Sequence, residues 1–157
     1  MNPSIHPDMQ ALAFLVGTWS GEGRGEYPTI EPFSYRETVT FTSTGKPFLA
    51  YAQRTFAADD GRPLHAEVGY LRMPRPGRVE LVVAHPTGVV EVDEGALNGS
   101  TLRLRSRVVA TTPSAKDVTD LERDLVVDPA EIRYRLAMAA VGHDMTHHLE
   151  ARLRPEV

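Results

Sequence analysis

From residue 18 onward, hydrophobic and polar positions alternate with period two. Leu102, Leu104, Ser106 and Val108 alternate with Arg103, Arg105 and Arg107, and Ile132, Tyr134, Leu136 and Met138 alternate with Arg133, Arg135 and Ala137. Leu64, Ala66, Val68 and Tyr70 form a third row opposite His65, Glu67 and Gly69, and Val79, Leu81 and Val83 a fourth. Successive side chains of a strand point to opposite faces, so such rows predict antiparallel strands with one face on a core and one in water. The arginine rows then lie on the wet side, their stems covering apolar surface. A different period appears only near the N-terminus. There Pro7 and Asp8 offer helix-start chemistry, Leu12, Leu15 and Val16 recur at helical spacing, and Gly17 stops the run. This predicts one helix about two to three turns long.

Turn residues divide the alternating region. They are Gly45-Lys46-Pro47, Asp59-Asp60-Gly61, Pro74-Arg75-Pro76-Gly77, Thr87-Gly88, Asn98-Gly99 and Asp128-Pro129. Asn98-Gly99 is the strongest hairpin signal, because a type I′ turn needs positive φ at both centres. The segments between them predict about ten strands, at 18–26, 34–44, 47–57, 63–73, 77–86, 88–97, 100–110, 118–127, 131–140 and 145–154. Consecutive hairpins without intervening helices favour an all-β fold, a ten-stranded antiparallel up-and-down barrel, since closing the sheet removes its edges. Ten-stranded barrels of the fatty-acid-carrier (calycin) type insert a helical lid between their first two strands. Here that place is held by Tyr27-Pro28-Thr29-Ile30-Glu31-Pro32, and two prolines in six residues exclude a lid helix. The mouth is therefore expected to be open and able to hold a bulky flat ligand. Thr111 to Lys116, the longest non-periodic stretch, reads as a hairpin loop.

Gly17-Thr18-Trp19-Ser20-Gly21-Glu22-Gly23 opens the first strand. A tryptophan flanked by glycines can plug the closed end of a barrel, the glycines allowing the backbone to bend and to approach the indole. At 157 residues the chain suits one domain over 1–157 with a sizeable core. A net charge of −4 and the lack of a Lys/Arg run argue against a nucleic-acid surface. No apolar run approaches the ~20 residues of a membrane span, and the first eight residues lack the pattern of a signal peptide. Without cysteine, disulfides and thiolate metal sites are excluded, which fits a cytoplasmic protein.

Several blocks together resemble the nitrobindin family. They are Gly17 to Gly23 continuing through Gly25-Glu26-Tyr27-Pro28-Thr29-Ile30, then His65 to Arg72, Ala84 to Val92, and Met145-Thr146-His147-His148-Leu149. They run in the family's order over nearly the whole chain. The resemblance implies a ten-stranded barrel with one haem b at its mouth, held by a single histidine and lacking a distal one. It also implies reversible nitric oxide binding and isomerisation of peroxynitrite to nitrate. The family's axial histidine precedes the leucine of the last strand, which puts the iron ligand and catalytic centre on His148. Thr29 and Lys116 match two further haem contacts, Lys116 as partner of a propionate. The expected partners are small molecules, peroxynitrite and nitric oxide, with no nucleic acid and no membrane; a homodimer is allowed.

Read without the family, several of these residues have plainer roles. Strict alternation groups His147, not His148, with Met145, Leu149, Ala151 and Leu153 on the apolar side, unless a bulge re-aims the strand. His143, His147 and His148 raise the alternative of a zinc site. Trp19 is a structural plug, His65 and His85 are surface or rim residues, Lys116 is a solvated loop cation and Thr29 belongs to a rigid turn. Ser20 has no partner base for nucleophilic work, and Gly21-x-Gly23-x-Gly25 precedes no helix, so it is not a dinucleotide fingerprint. Two rival functions remain. One is an apolar-ligand carrier whose interior is supplied by Phe41, Phe48, Phe56, Leu81 and Leu104; the other is a nitric oxide sensor or store.

Overall fold

The computed structural model describes residues 3–157, so Met1 and Asn2 of the N-terminal stretch lie outside the described residues. Ten antiparallel strands close into a barrel: β1 (Gly17–Tyr27), β2 (Ile30–Ser43), β3 (Leu49–Ala57), β4 (Pro63–Arg75), β5 (Arg78–Ala84), β6 (Val89–Asn98), β7 (Thr101–Thr111), β8 (Val118–Asp128), β9 (Glu131–Ala140) and β10 (His143–Pro155). Each strand pairs with its chain neighbours, and β1 closes the barrel on β10. Only Pro28 and Thr29 separate β1 from β2, so no lid covers that side. The turns after odd-numbered strands gather at one end, the mouth. The turns after even-numbered strands gather at the other. Among the described residues no helix is long and apolar enough to cross a membrane.

The closed end is built by the N-terminal segment. It forms a 3-10 helix, Pro7–Leu15, rather than an α-helix. Met9, Leu12 and Leu15 are fully buried. Their spacing of three matches the 3-10 period, which stacks i and i+3 on one face. Trp19 packs in the same core cluster, and its Nε1–H donates to the Leu15 carbonyl at 2.8 Å. The indole is thus a plug tied to the helix end. The glycines beside it serve other neighbours than the indole. A Cβ on Gly21 would lie 1.9 Å from the Arg152 carbonyl oxygen, and one on Gly23 would enter the Tyr35 ring. They let β1 coil closely against β10 and β2. Trp19→Phe keeps the ring stack but orphans a buried carbonyl and leaves a gap, so it should cost about 2 kcal/mol; a urea melt will show the lowered midpoint.

One apolar row and one further residue face the other way from the pattern. In β4 the inner wall is His65, Glu67, Gly69 and Leu71, while Val68 and Tyr70 are 58% and 52% exposed. The cause lies inside the barrel, where a polar network occupies the space that Leu64, Ala66, Val68 and Tyr70 would otherwise fill. Val108 also turns outward, 51% exposed, because the β6–β7 register slips between Val92 and Asp93. Phe41, Leu81 and Leu104 are core residues, whereas Phe48 lies partly exposed with its ring edge-on to Tyr70.

At the mouth the wall parts between β7 and β8. Their ladder runs only from Thr101–Val126 to Arg105–Glu122. Beyond it, β7 keeps only β6 and the start of β8 keeps only β9, with Ser106 and Asp120 bridging by side chains. Residues 112–117 loop over this notch.

Candidate functional site

β10 enters the barrel from a two-residue turn, Val141 and Gly142, both at positive φ (47° and 82°). A β-branched residue in that region is strained, so the hairpin is held by its surroundings. One tie is Tyr27, buried, whose hydroxyl accepts from the Ala140 N–H at 3.1 Å and donates to the Met138 carbonyl at 3.0 Å. Six residues into the strand the register breaks: His147 pairs with Ala137 and Leu149 with Leu136, leaving His148 as the additional residue of a β-bulge. Leu136 and Leu149 share the inner face, whereas Ala137 and His147 belong to the outer one. Strict alternation, which puts His147 inside, fails at this bulge.

The His148 ring sits at the mouth. It lies edge-on to Tyr27, with ring centroids 5.4 Å apart. Its Nδ1–H donates to the Glu26 carbonyl at 2.9 Å. This fixes the tautomer and leaves Nε2 as a bare lone-pair donor. Burial holds the imidazole below its ordinary pKa, outweighing the Glu26 hydrogen bond, so it is neutral at pH 7. A neutral imidazole whose second nitrogen is fixed by a backbone carbonyl is the form that ligates a metal.

Below the mouth the interior carries a charged network. Buried Arg123 donates from Nε to Glu91 at 2.7 Å and forks onto Glu67 at 3.0 and 3.2 Å. Tyr51 donates to Glu67 at 2.7 Å. His85 Nε2 meets Glu91 at 2.8 Å, and His65 Nε2 meets His85 Nδ1 at 2.9 Å. Burial raises the carboxyls of Glu67 and Glu91, but Arg123 more than offsets it and both lie below their ordinary range. Asp93 is fully buried, with Arg123 Nε 3.4 Å away and no hydrogen bond to either oxygen. Burial and the adjoining Glu91 push it up to about 9, so the pair holds one proton between them at pH 7. A second group joins Gln53, Tyr134 and Tyr35 to Glu37, whose carboxyl burial pushes up to about 7.

Other sequence candidates fall around this centre. Thr29 is exposed in the β1–β2 turn, two residues from Tyr27. Lys116 is exposed on the loop over the β7–β8 notch and makes no ion pair among the described residues. His65 and His85 are rim residues facing inward rather than surface residues. His143, His147 and His148 do not converge on a common metal position among the described residues; the one such grouping is His65, Glu67 and His85. The barrel interior holds a cavity of about 40 Å³, lined by Glu37, Tyr51, Gln53, Arg123, Tyr134 and Leu149. That is room for about one water, far less than the hundreds of Å³ of an apolar-ligand site.

Comparison with known proteins gives a consistent result. A family model described as "THAP4-like, heme-binding beta-barrel domain" matches residues 8–154. A protein of Mycobacterium ulcerans named peroxynitrite isomerase 2 is 54% identical over 98% of both chains. A peroxynitrite isomerase 1 of Mycolicibacterium paratuberculosis is also 54% identical, again over 98% of both. The crystal structure of Rv2717c from M. tuberculosis superposes with a TM-score of 0.93 at 46% identity, covering 98% of this chain and 100% of that one.

Proposed function

Since the chain belongs to the THAP4-like, heme-binding β-barrel family, we propose that it binds one haem b at the barrel mouth through His148 and isomerises peroxynitrite to nitrate. The observation that carries this reading is the bulged His148, whose Nδ1–H is taken by the Glu26 carbonyl while Nε2 is left as donor. Its donor chemistry fits haem iron, for which imidazole nitrogen is a normal axial ligand. The notch between β7 and β8 and the lidless β1–β2 turn leave the mouth open at two places, where a flat macrocycle would enter. Bound haem supplies a ferric iron that polarises peroxynitrite and weakens its O–O bond.

The chain's own residues hold and orient. Glu26 and Tyr27 fix the ring of His148, and Lys116 offers an unpaired cation to a propionate. Thr29, exposed in the β1–β2 turn, would help hold the haem. The rearrangement conserves atoms and electrons and needs no proton from the protein, in keeping with an interior whose Glu67 and Glu91 are committed to Arg123. The 157 residues work as one unit, cytoplasmic, acting on peroxynitrite and binding nitric oxide. The rival reading as a carrier of apolar ligands meets a cavity too small for one.

Stopped-flow mixing of peroxynitrite with ferric, haem-loaded protein tests the activity. Decay should accelerate in proportion to protein, with nitrate as product. Haem uptake without acceleration would leave nitric oxide binding alone, and failure to take up haem would end the haem reading.

A further inference from the structure

We propose that His65, His85 and Glu67 form a second metal site, taking a divalent first-row transition ion such as Zn²⁺ or Fe²⁺ through two imidazole nitrogens and one carboxylate oxygen. The site uses no atom of His148, although His65 stands near enough to that imidazole to feel its charge, and its three donors need no haem.

The geometry is close to a preformed one. His65 Nε2, His85 Nδ1 and Glu67 Oε1 are 2.9, 3.9 and 3.7 Å apart in pairs. Three atoms at those separations lie on a circle of radius about 2.1 Å, the length of a bond from such an ion to imidazole or carboxylate. Donors around a tetrahedral ion stand about 3.3 Å apart, so the two histidines need to open by about 0.4 Å once an ion replaces the hydrogen between them, and Glu67 to close on them by about 0.4 to 0.6 Å.

The surroundings point the same way. Glu91 accepts the Nε2–H of His85 at 2.8 Å, which turns the bare Nδ1 towards the site. This is the carboxylate–histidine pairing that accompanies metal ligands and sets their tautomer. His65 now gives its Nε2–H to His85; moving that proton to Nδ1 frees the second donor at no net proton cost. Arg123 forks onto both oxygens of Glu67 and Tyr51 donates to Oε2, so the third ligand is held in place before any ion arrives. The charges balance as well. Glu67 and Glu91 oppose the single cation Arg123 while Asp93 keeps the proton it shares with Glu91, leaving one net negative charge to receive a dication. His65 is the outermost of the three and half-buried, which leaves remaining coordination positions on the mouth side. Two histidines and one carboxylate with open positions is a donor set that suits Zn²⁺ or Fe²⁺.

The test is titration of tag-free, haem-free protein with Co²⁺ alone, read by its visible d–d bands, and then displacement by Zn²⁺. One equivalent should bind. His65→Ala and His85→Ala should lose it by at least ~100-fold, and Glu91→Gln should weaken it about 10- to 100-fold. His148→Ala should bind Co²⁺ as the parent does. Should His85→Ala not fold, the half-exposed His65→Ala decides, with Zn²⁺ raising the melting temperature of the parent and not of this variant. No d–d bands, bands that survive both histidine substitutions, or bands lost on changing His147 or His148 would each overturn the proposal. Haem uptake is scored separately by its own absorption, so failure here leaves the haem reading standing, and the reverse.

Discussion

His148→Ala will lower the affinity for ferric haem by about 100-fold or more, since losing a ligand bond worth roughly 3 kcal/mol has that effect. The case rests on the bulge. Between Ala137 and Leu136 of β9 there is no residue to pair with His148, so its ring is free of the inside–outside alternation that binds its neighbours. It leans on Tyr27 and hands Nδ1–H to the Glu26 carbonyl, and only Nε2 can then reach a metal. His147, paired with Ala137 on the outer face, should be replaceable by alanine with little change in the Soret band. Added imidazole should restore the absorption spectrum of His148→Ala, because the cavity left behind has the shape of the ligand removed. A band unchanged in His148→Ala but lost in His147→Ala would move the ligand one residue back and contradict the register.

The same bulge shows where sequence stops being legible. The strand limits, the hairpins and the lidless first turn follow from alternation and turn chemistry, which are local. The Trp19 plug is also readable, although the glycines beside it make room for Arg152 and Tyr35 and not for the indole. Which face of β4 is inside is not local. Val68 and Tyr70 read as core and lie in water, because the barrel places His65, Glu67 and Arg123 together across strands far apart in sequence. One clue was available. Arg123 stands in the apolar row Leu121, Leu125, Val127, and Glu91 and Asp93 stand between Val89 and Leu97. Charges in a core row are rarely buried unless paired, so these positions carry a signal of an internal ion network, though not of which partners meet. The bulge itself left no mark in residue type at all. It became visible only through the resemblance, which named His148 against the alternation.

Arg123→Met should destabilise the barrel by about 3–5 kcal/mol near pH 7, as expected when one partner of a buried ion network is removed. That is a large part of the 5–15 kcal/mol typical of a domain. Methionine keeps the apolar stem as far as the Nε position, so the packing loss is confined to the guanidinium head and the main loss is electrostatic: Glu67 and Glu91 stay buried with no cation. The pH dependence separates this from a packing defect. In the parent, Arg123 holds both carboxyls below their ordinary range, so their contribution is in full force above about pH 4.5 and fades as pH falls further. In the variant only His85, and for Glu91 also Asp93, still oppose burial, so both carboxyls move up, favour the folded state while protonated and oppose it as pH rises through their new values. The gap between parent and variant should therefore be small near pH 4 and widen steadily towards pH 8, measured by urea denaturation at several pH values. Asp93 and Glu37, pushed up to about 9 and about 7, cost the parent stability as pH rises; Arg123 lowers both, so its loss raises them further and widens the gap on the alkaline side. Arg123→Lys keeps the charge without the fork on Glu67 and should fall between the two. A gap that is the same at every pH would mean that Arg123 acts by filling space, and the ionic account of the interior would fail.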